Sequence, residues 1–364
     1  MHLGIVTKDM TGGGAARAMV KLANGLAADH RVDLLLVHAE GPYLEEVSPA
    51  VHVVDLGARR TITAVPALVR YLRDDPPDAL LSALRHVNVV AIISRLLARA
   101  RSCLVVSERN MVAISMRNAP RWRDKLFVIL IPTLYRLADV IVAIASDIEE
   151  ELRTRYRLPG EKIRLIYNPI VDEQLLARAA ESIDEAWWVT GVPTVLAVGR
   201  LTEHKNYQLL IRSFARVLEK QDARLVILGE GPERENLSAL ARRLGIEASV
   251  EMPGFVSNVY KFMRESDLFV HTSRWEGLPG VLIEAMACAL PIVATDAPGG
   301  SGEVLEHGRY GRMVEADDEA QLAGAIEDGL RGAISVPDRS SWSRFDQSSV
   351  VGEYVAAFQS CARD

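Results

Sequence analysis

Cysteine is scarce in this chain: Cys103, Cys288 and Cys361 are the three among 364 residues. They are too few and too scattered for a disulfide framework, and none stands in a Cys-x-x-Cys metal pair, so a reducing compartment is expected. Long apolar runs are missing too. Leu126 to Ile131 is apolar but stops at Pro132, well short of a membrane span. The sequence enters Leu3-Gly4-Ile5-Val6 without a basic leader or a cleavage site, so no leader peptide is expected. There is no excess of positive charge: the formal net charge is −6, which speaks against nucleic acid as the main partner. Asp-x-Asp occurs nowhere in the sequence. That pair often holds a diphosphate through Mg²⁺, so its absence leads to an expectation of chemistry without a metal and without a bound cofactor. The dinucleotide fingerprint Gly-x-Gly-x-x-Gly is incomplete as well, because Arg17 stands at its last position. A nicotinamide oxidoreductase is thereby disfavoured.

What is present is enough apolar material for two cores, 49% of a 364-residue chain. Strands are expected at 3–7, Val32–Val37, Val51–Asp55, Ala79–Ser82, Cys103–Ser107, Val140–Ala143 and Ile163–Tyr167. Helical patterns lie between them at 15–28, 62–74, 86–99, 121–137 and 146–157. Strands alternating with helices predict parallel sheets covered on both faces, with ligands beyond the carboxyl ends of the strands. A second alternation starts with Thr194–Val198 and Arg224–Leu228 and ends in a terminal helix near 346–360.

The richest stretch runs from Ser273 to Asp296. It reads as the end of a strand, a turn on Gly277, Pro279 and Gly280, a helix to Ala289 and a strand from Pro291. Pro279 suits a first helical position and Gly280 removes bulk, so the amides from Gly280 to Leu282 can face an anion. Glu276 precedes this helix and Glu284 follows Gly280 by one turn, about 6 Å along the axis. The small apolar residues after Glu284 predict a buried helix, in which a carboxylate needs a purpose. A nucleoside diphosphate sugar matches the spacing, with its sugar by Glu276, its diphosphate at the helix end and its ribose by Glu284. In the loop after Thr194–Val198, Arg200 and Lys205 can grip one diphosphate from two sides. Gly13 and Gly14, after the first strand, can bring backbone amides to a diphosphate without a Cβ in the way.

Glu276 and Glu284, followed by Ala-Met-Ala-Cys and Pro-Ile-Val-Ala-Thr-Asp, resemble the Glu-x7-Glu signature of retaining glycosyltransferase family 4. The likeness extends in order over nearly the whole chain: Gly13-Gly14-Ala15-Ala16-Arg17 at the start, with Ala16 where a glutamate is common, then Tyr167-Asn168-Pro169, Arg200 and Lys205. The resemblance implies an α/β GT-B fold, two Rossmann-like doubly wound parallel-sheet domains facing across a cleft. Residues 1–172 are then expected to form the acceptor domain, 173–345 the donor domain, and 346–364 a helix packing back on the first.

The activity implied is transfer of a hexose or N-acetylhexosamine from a nucleotide sugar, UDP ahead of GDP, to a glycan or lipid-linked acceptor, as in bacterial surface-polysaccharide and lipopolysaccharide assembly. Catalytic candidates are Glu276, Arg200, Lys205 and Glu108. The donor pocket is expected from Gly13, Gly14, Phe255, Val256, Leu278, Pro279, Gly280, Val281 and Glu284. Family members often carry a histidine where this chain has Ser107-Glu108-Arg109-Asn110, so Glu108 and Arg109 are its substitutes here, against an internal salt bridge as the alternative. Rival readings are a nucleotide-sugar epimerase on the same fold and a non-catalytic sugar-nucleotide or lipid-binding protein.

Charge is uneven. Residues 1–170 hold 23 Lys+Arg against 18 Asp+Glu and the remainder 19 against 30. Between Arg85 and Arg136 lie ten basic residues and two acidic ones, Glu108 and Asp124, with Trp122, Leu126, Phe127, Ile129 and Leu130 among or just after them. That pattern resembles an interfacial stretch on an anionic membrane surface, against the alternative of a solvated basic face. A cytoplasmic enzyme, peripheral at the inner face of the membrane, is the corresponding expectation.

Overall fold

The computed structural model describes residues 1–112 and 133–361. The chain divides into two compact units, Met1–Ile170 with Phe345–Asp364, and Val171–Arg344.

The first unit is built on seven strands: β1 (His2–Thr7), β2 (Arg31–Leu36), β3 (Val51–Asp55), β4 (Ala79–Ala83), β5 (Cys103–Glu108), β6 (Val140–Ala143) and β7 (Ile163–Leu165). Their order is β3-β2-β1-β4-β5-β6-β7, every pair parallel. Continuous apolar runs explain the choice. Every residue of β4, β5 and β6 is buried, as a sheet covered on both faces requires. The order reverses between β1 and β4, so the carboxyl ends of these strands flank the crevice where ligands of such sheets bind.

The helix Gln347–Cys361 completes this unit's core, with Val350, Tyr354, Ala357 and Phe358 joining the buried cluster that holds Leu22 and Leu26. It crosses the helix Gly14–Leu26 closely: a Cβ on Gly25 would stand 2.7 Å from Val351 Cγ2. The Gln347 amide also donates to Lys21 O. At the far end of the helix, Cys361 is bonded to Cys103 of β5, their Cα atoms 5.6 Å apart across 258 residues of sequence. This corrects the expectation that the cysteines are too scattered to pair. The pairing depends on a helix returning to a strand, which no local spacing reveals. Cys288 remains free and buried.

The second unit has six strands: β8 (Thr194–Val198), β9 (Arg224–Leu228), β10 (Val250–Gly254), β11 (Leu268–His271), β12 (Ile292–Asp296) and β13 (Arg312–Glu315). They too are all parallel, in the order β10-β9-β8-β11-β12-β13. Here the reversal falls between β8 and β11, paired as Leu268↔Val195 and Phe269↔Leu196. The loops leaving those two strands carry Arg200 and Lys205 on one side and Glu276 on the other. Strand order thus delivers three of the four candidate catalytic residues to one edge. The core beneath combines Leu196's neighbours Val195 and Ala197 with Phe214, Ile227, Val270 and Val293.

Candidate active site

The site in the second unit is organised by two glycines. Gly199 follows β8 at φ +154°, and a Cβ there would lie 2.7 Å from the Tyr207 hydroxyl and 3.4 Å from Lys205 Cε. Its bareness lets the loop fold back so that Lys205 turns over the end of the sheet. The loop is then tied to the segment after β11: the Thr272 hydroxyl donates to Lys205 O at 2.8 Å and Arg274 N donates to His204 O at 2.8 Å. Gly299, at φ +105°, is the second. A Cβ on it would stand 2.1 Å from Glu276 O. The turn Pro298-Gly299-Gly300 grips the Glu276 loop through Glu276 N to Pro298 O at 3.1 Å and Gly300 N to Gly277 O at 2.8 Å.

Within this frame Lys205 Nζ donates to Glu276 Oε1 at 2.6 Å, both side chains only 14% exposed. The sequence reading assigns these two residues to different parts of a ligand; the structure pairs them. His271, the last residue of β11 and 4% exposed, completes the cluster. Its Nε2 lies 3.3 Å from the same Glu276 oxygen, within ion-pair range but too poorly aligned to make a hydrogen bond. Burial raises the Glu276 carboxyl, yet the Lys205 ammonium and His271 outweigh it and hold the group well below the usual carboxylate range. Burial pulls His271 down, only partly opposed by Glu276, so the ring is neutral near pH 7. Sequence reasoning missed His271. The one signal was its place at the carboxyl end of a strand beside the switch point.

Arg200 is exposed and enters no ion pair among the described residues. The helix after Glu276 runs Gly280–Ala287, with Pro279 as its N-cap and no side-chain cap. Leu282 N is taken by Pro279 O at 3.0 Å, which removes it from the set of available amides. Gly280 and Val281 stand in the first turn, where amides have no intrahelical acceptor. The helix ends two residues before the expected Ala289, which adopts φ +57°, and the next strand starts at Ile292. Leu278 and Pro279 are buried beneath the turn. Glu284 is buried on the inner face of the helix and accepts from the Tyr260 hydroxyl at 3.3 Å. Tyr260, another residue not anticipated, comes from the neighbouring helix Tyr260–Glu265. Phe255 follows β10 and is 69% exposed, an unusual position for a phenylalanine, while Val256 is half-buried.

In the first unit, Gly13 (φ +90°) caps the helix Gly14–Leu26, and a Cβ at Gly13 or Gly14 would meet nothing within 4 Å. Glu108 is buried at the end of β5. It is 1% exposed, bonded by Arg85 at 2.8 and 3.2 Å and by the Tyr135 hydroxyl at 2.9 Å. This internal ion pair is the alternative weighed for Glu108 above, and it engages both carboxylate oxygens inside the fold. Burial would lower Arg85, but Glu108 beside it holds the guanidinium up. Arg109 is buried as well, donating to Asn168 Oδ1 at 2.6 Å. The membrane-surface stretch around Trp122 to Leu130 lies outside the described residues.

Among the described residues, one group brings His and carboxylate ligand atoms within 4.8 Å of one another, His2, Asp33 and Asp75. It lies at the amino end of the first sheet, away from the loops above, and its Asp33 already accepts from Tyr71 at 2.7 Å while Arg31 bonds Asp75.

Residues 12–174 match the family described as Glycosyltransferase Family 4, and residues 181–344 match Glycosyl transferases group 1. The chain belongs to the family-4 glycosyltransferases. Its fold is GT-B. The enzyme is 29% identical, over 96% of either chain, to the N-acetylgalactosamine-N,N'-diacetylbacillosaminyl-diphospho-undecaprenol 4-alpha-N-acetylgalactosaminyltransferase of Campylobacter jejuni. It is 26% identical, over 84% of either chain, to the amylovoran biosynthesis glycosyltransferase AmsD of Erwinia amylovora. Among solved structures, Anabaena HepE in complex with UDP and glucose superposes with a TM-score of 0.78 at 20% identity, covering 99% of this chain and 100% of that one.

Proposed function

We propose that this glycosyltransferase moves a hexose or N-acetylhexosamine from a nucleotide sugar, UDP ahead of GDP, to a glycan or lipid-linked acceptor, with retention at the anomeric carbon and without a metal ion. The observation that carries the reading is the convergence of Arg200, Lys205, the uncapped helix start at Gly280 and Glu276 at the switch point of one sheet. Two cations and a helix N-terminus supply the charge stabilisation that a departing diphosphate needs. The UDP of the Anabaena neighbour supports the uridine preference, and the undecaprenol-linked acceptor in the Campylobacter relative's name supports a lipid-linked acceptor.

In the proposed step the bond from the anomeric carbon to the β-phosphate oxygen breaks, its electron pair staying with the phosphate. An acceptor hydroxyl bonds to the same carbon from the same face, and its proton passes to the leaving diphosphate. Glu276 orients the sugar and polarises its hydroxyls. Glu284, positioned by Tyr260, holds the ribose, and Phe255 and Val256 flank the base. The first unit is the acceptor domain of this reading. No described helix is long and apolar enough to cross a membrane. A cytoplasmic enzyme resting on an anionic membrane surface, with no nucleic-acid partner, fits this assignment.

Isothermal titration of UDP and GDP in EDTA, on wild type and Glu284→Ala, tests the donor site. One nucleotide should bind wild type without metal and bind the variant at least tenfold more weakly. Binding of neither, or equal binding to both proteins, would remove the assignment.

A further inference from the structure

The ligand-free ion pair raises a question of charge. If Lys205 serves the donor's diphosphate, it can no longer fully neutralise Glu276, a carboxylate whose side chain is only 14% exposed. A buried carboxylate without a counter-charge is costly, and the site must supply another cation or lose the carboxylate's ionised form. Arg200 is exposed and enters no ion pair among the described residues. His271 is the group in place. Its Nε2 is buried, without a hydrogen-bond partner among the described residues, and 3.3 Å from the oxygen that Lys205 holds.

We propose that His271 is a positioning residue that takes up a proton when the donor's diphosphate draws Lys205 away from Glu276, so that donor binding is coupled to proton uptake. The idea rests on the donor-site reading above and adds a regulated charge to it.

The surroundings of the ring fix the direction. Its own loop presents Glu276, and the loop after β8 presents Lys205 and, further out, His204. Tyr207 stays a neutral phenol, pushed up by burial and by Glu276. From β12 the Thr295 hydroxyl donates to His271 O at 3.5 Å, and Ala294 pairs with His271 along the strand. Of these groups, Lys205 keeps the ring neutral and Glu276 favours its protonation. Moving the ammonium toward a phosphate, and adding the phosphate's negative charge, both shift the balance to the imidazolium. Solvent supplies the proton. Imidazolium Nε2–H then donates to Glu276, holding the carboxylate in place for the sugar.

The test is titration of UDP into wild type and His271→Gln at neutral pH in phosphate, HEPES and Tris, whose ionisation heats differ. The slope of apparent enthalpy against buffer heat counts protons. Glutamine keeps a donor near the Nε2 position but takes no proton, and any proton exchanged by UDP itself is common to both proteins and cancels. Wild type should take up roughly 0.5–1 more proton per UDP than the variant. Equal counts overturn the proposal. A second measurement needs no variant: the ¹³Cε1 resonance of His271 should move from its neutral to its imidazolium position as UDP saturates wild type, and a stationary resonance overturns the proposal too. Absence of binding by either nucleotide would overturn the donor-site reading and this proposal with it. Binding without proton uptake would overturn only the role of His271.

Discussion

Removing Lys205 should expose how strongly the second unit depends on one ion pair. At 2.6 Å the pair's Coulomb attraction is about 6 kcal/mol at an effective dielectric of 20, most of it offset by desolvation of the two groups. Lys205→Met deletes the attraction but leaves the desolvated carboxylate. For a fully buried pair the loss is about 3–5 kcal/mol; with 14% exposure on each side and His271 able to charge, about 2–3 kcal/mol is expected. In a unit of this size that lowers the melting temperature by roughly 5–10 °C. Four of the five tryptophans, Trp187, Trp188, Trp275 and Trp342, belong to this unit, so urea and thermal unfolding followed by tryptophan fluorescence report on it.

The pH dependence distinguishes this cause from lost packing. In wild type the Glu276 carboxyl is depressed below its unfolded value, so the pair's stability is present above that value and lost as pH falls through the depressed one. In Lys205→Met, burial without the ammonium raises the carboxyl. The sign reverses, and the variant recovers as pH falls and the carboxyl protonates. The deficit measured at pH 7.5 should therefore shrink by pH 5, and the double variant Lys205→Met/Glu276→Gln should recover most of it at pH 7.5 while transferring no sugar. A deficit under about 0.5 kcal/mol, or one that stays constant between the two pH values, would refute the reasoning.

Two further outcomes follow from neighbouring geometry. Gly299→Ala puts a Cβ 2.1 Å from Glu276 O at a positive φ, so stability should fall by about 1–3 kcal/mol and nucleotide affinity should weaken in calorimetry, although the residue carries no functional group. Arg85→Met leaves Glu108 buried without its guanidinium and should destabilise the first unit by about 3–5 kcal/mol in urea unfolding, with UDP affinity at the second unit unchanged; a lost affinity would restore a ligand role to Glu108.

Much of the fold was legible because its signals are local. Runs such as Ala79–Ala83 and Thr194–Val198 are apolar but for one small polar residue each, Ser82 and Thr194, so strand positions fell within a residue or two. The candidate site was read from the motifs that carry Glu276, Glu284, Arg200 and Lys205, and of these the structure brings Lys205 and Glu276 together. What failed to show was pairing across sequence. Lys205 and Glu276 are 71 residues apart, Arg85 and Glu108 belong to different elements, and Cys103 finds Cys361 through a helix that starts after the whole second unit. A histidine ending a strand, like His271, has no sequence signature that separates a buried partner of a carboxylate from an ordinary strand end.

The closure of the first unit by residues 345–361 also sets an order of events during synthesis. Val350, Tyr354 and Phe358 belong to the same buried cluster as Leu3 and Ile5, and Ile170 N bonds Phe345 O at 3.0 Å. During synthesis residues 1–170 therefore have a core that lacks one wall until the helix Gln347–Cys361 is made, whereas residues 171–344 are complete before it. The later-encoded unit is able to finish folding before the first, whose sheet waits, partly uncovered, until residues 345–361 are made.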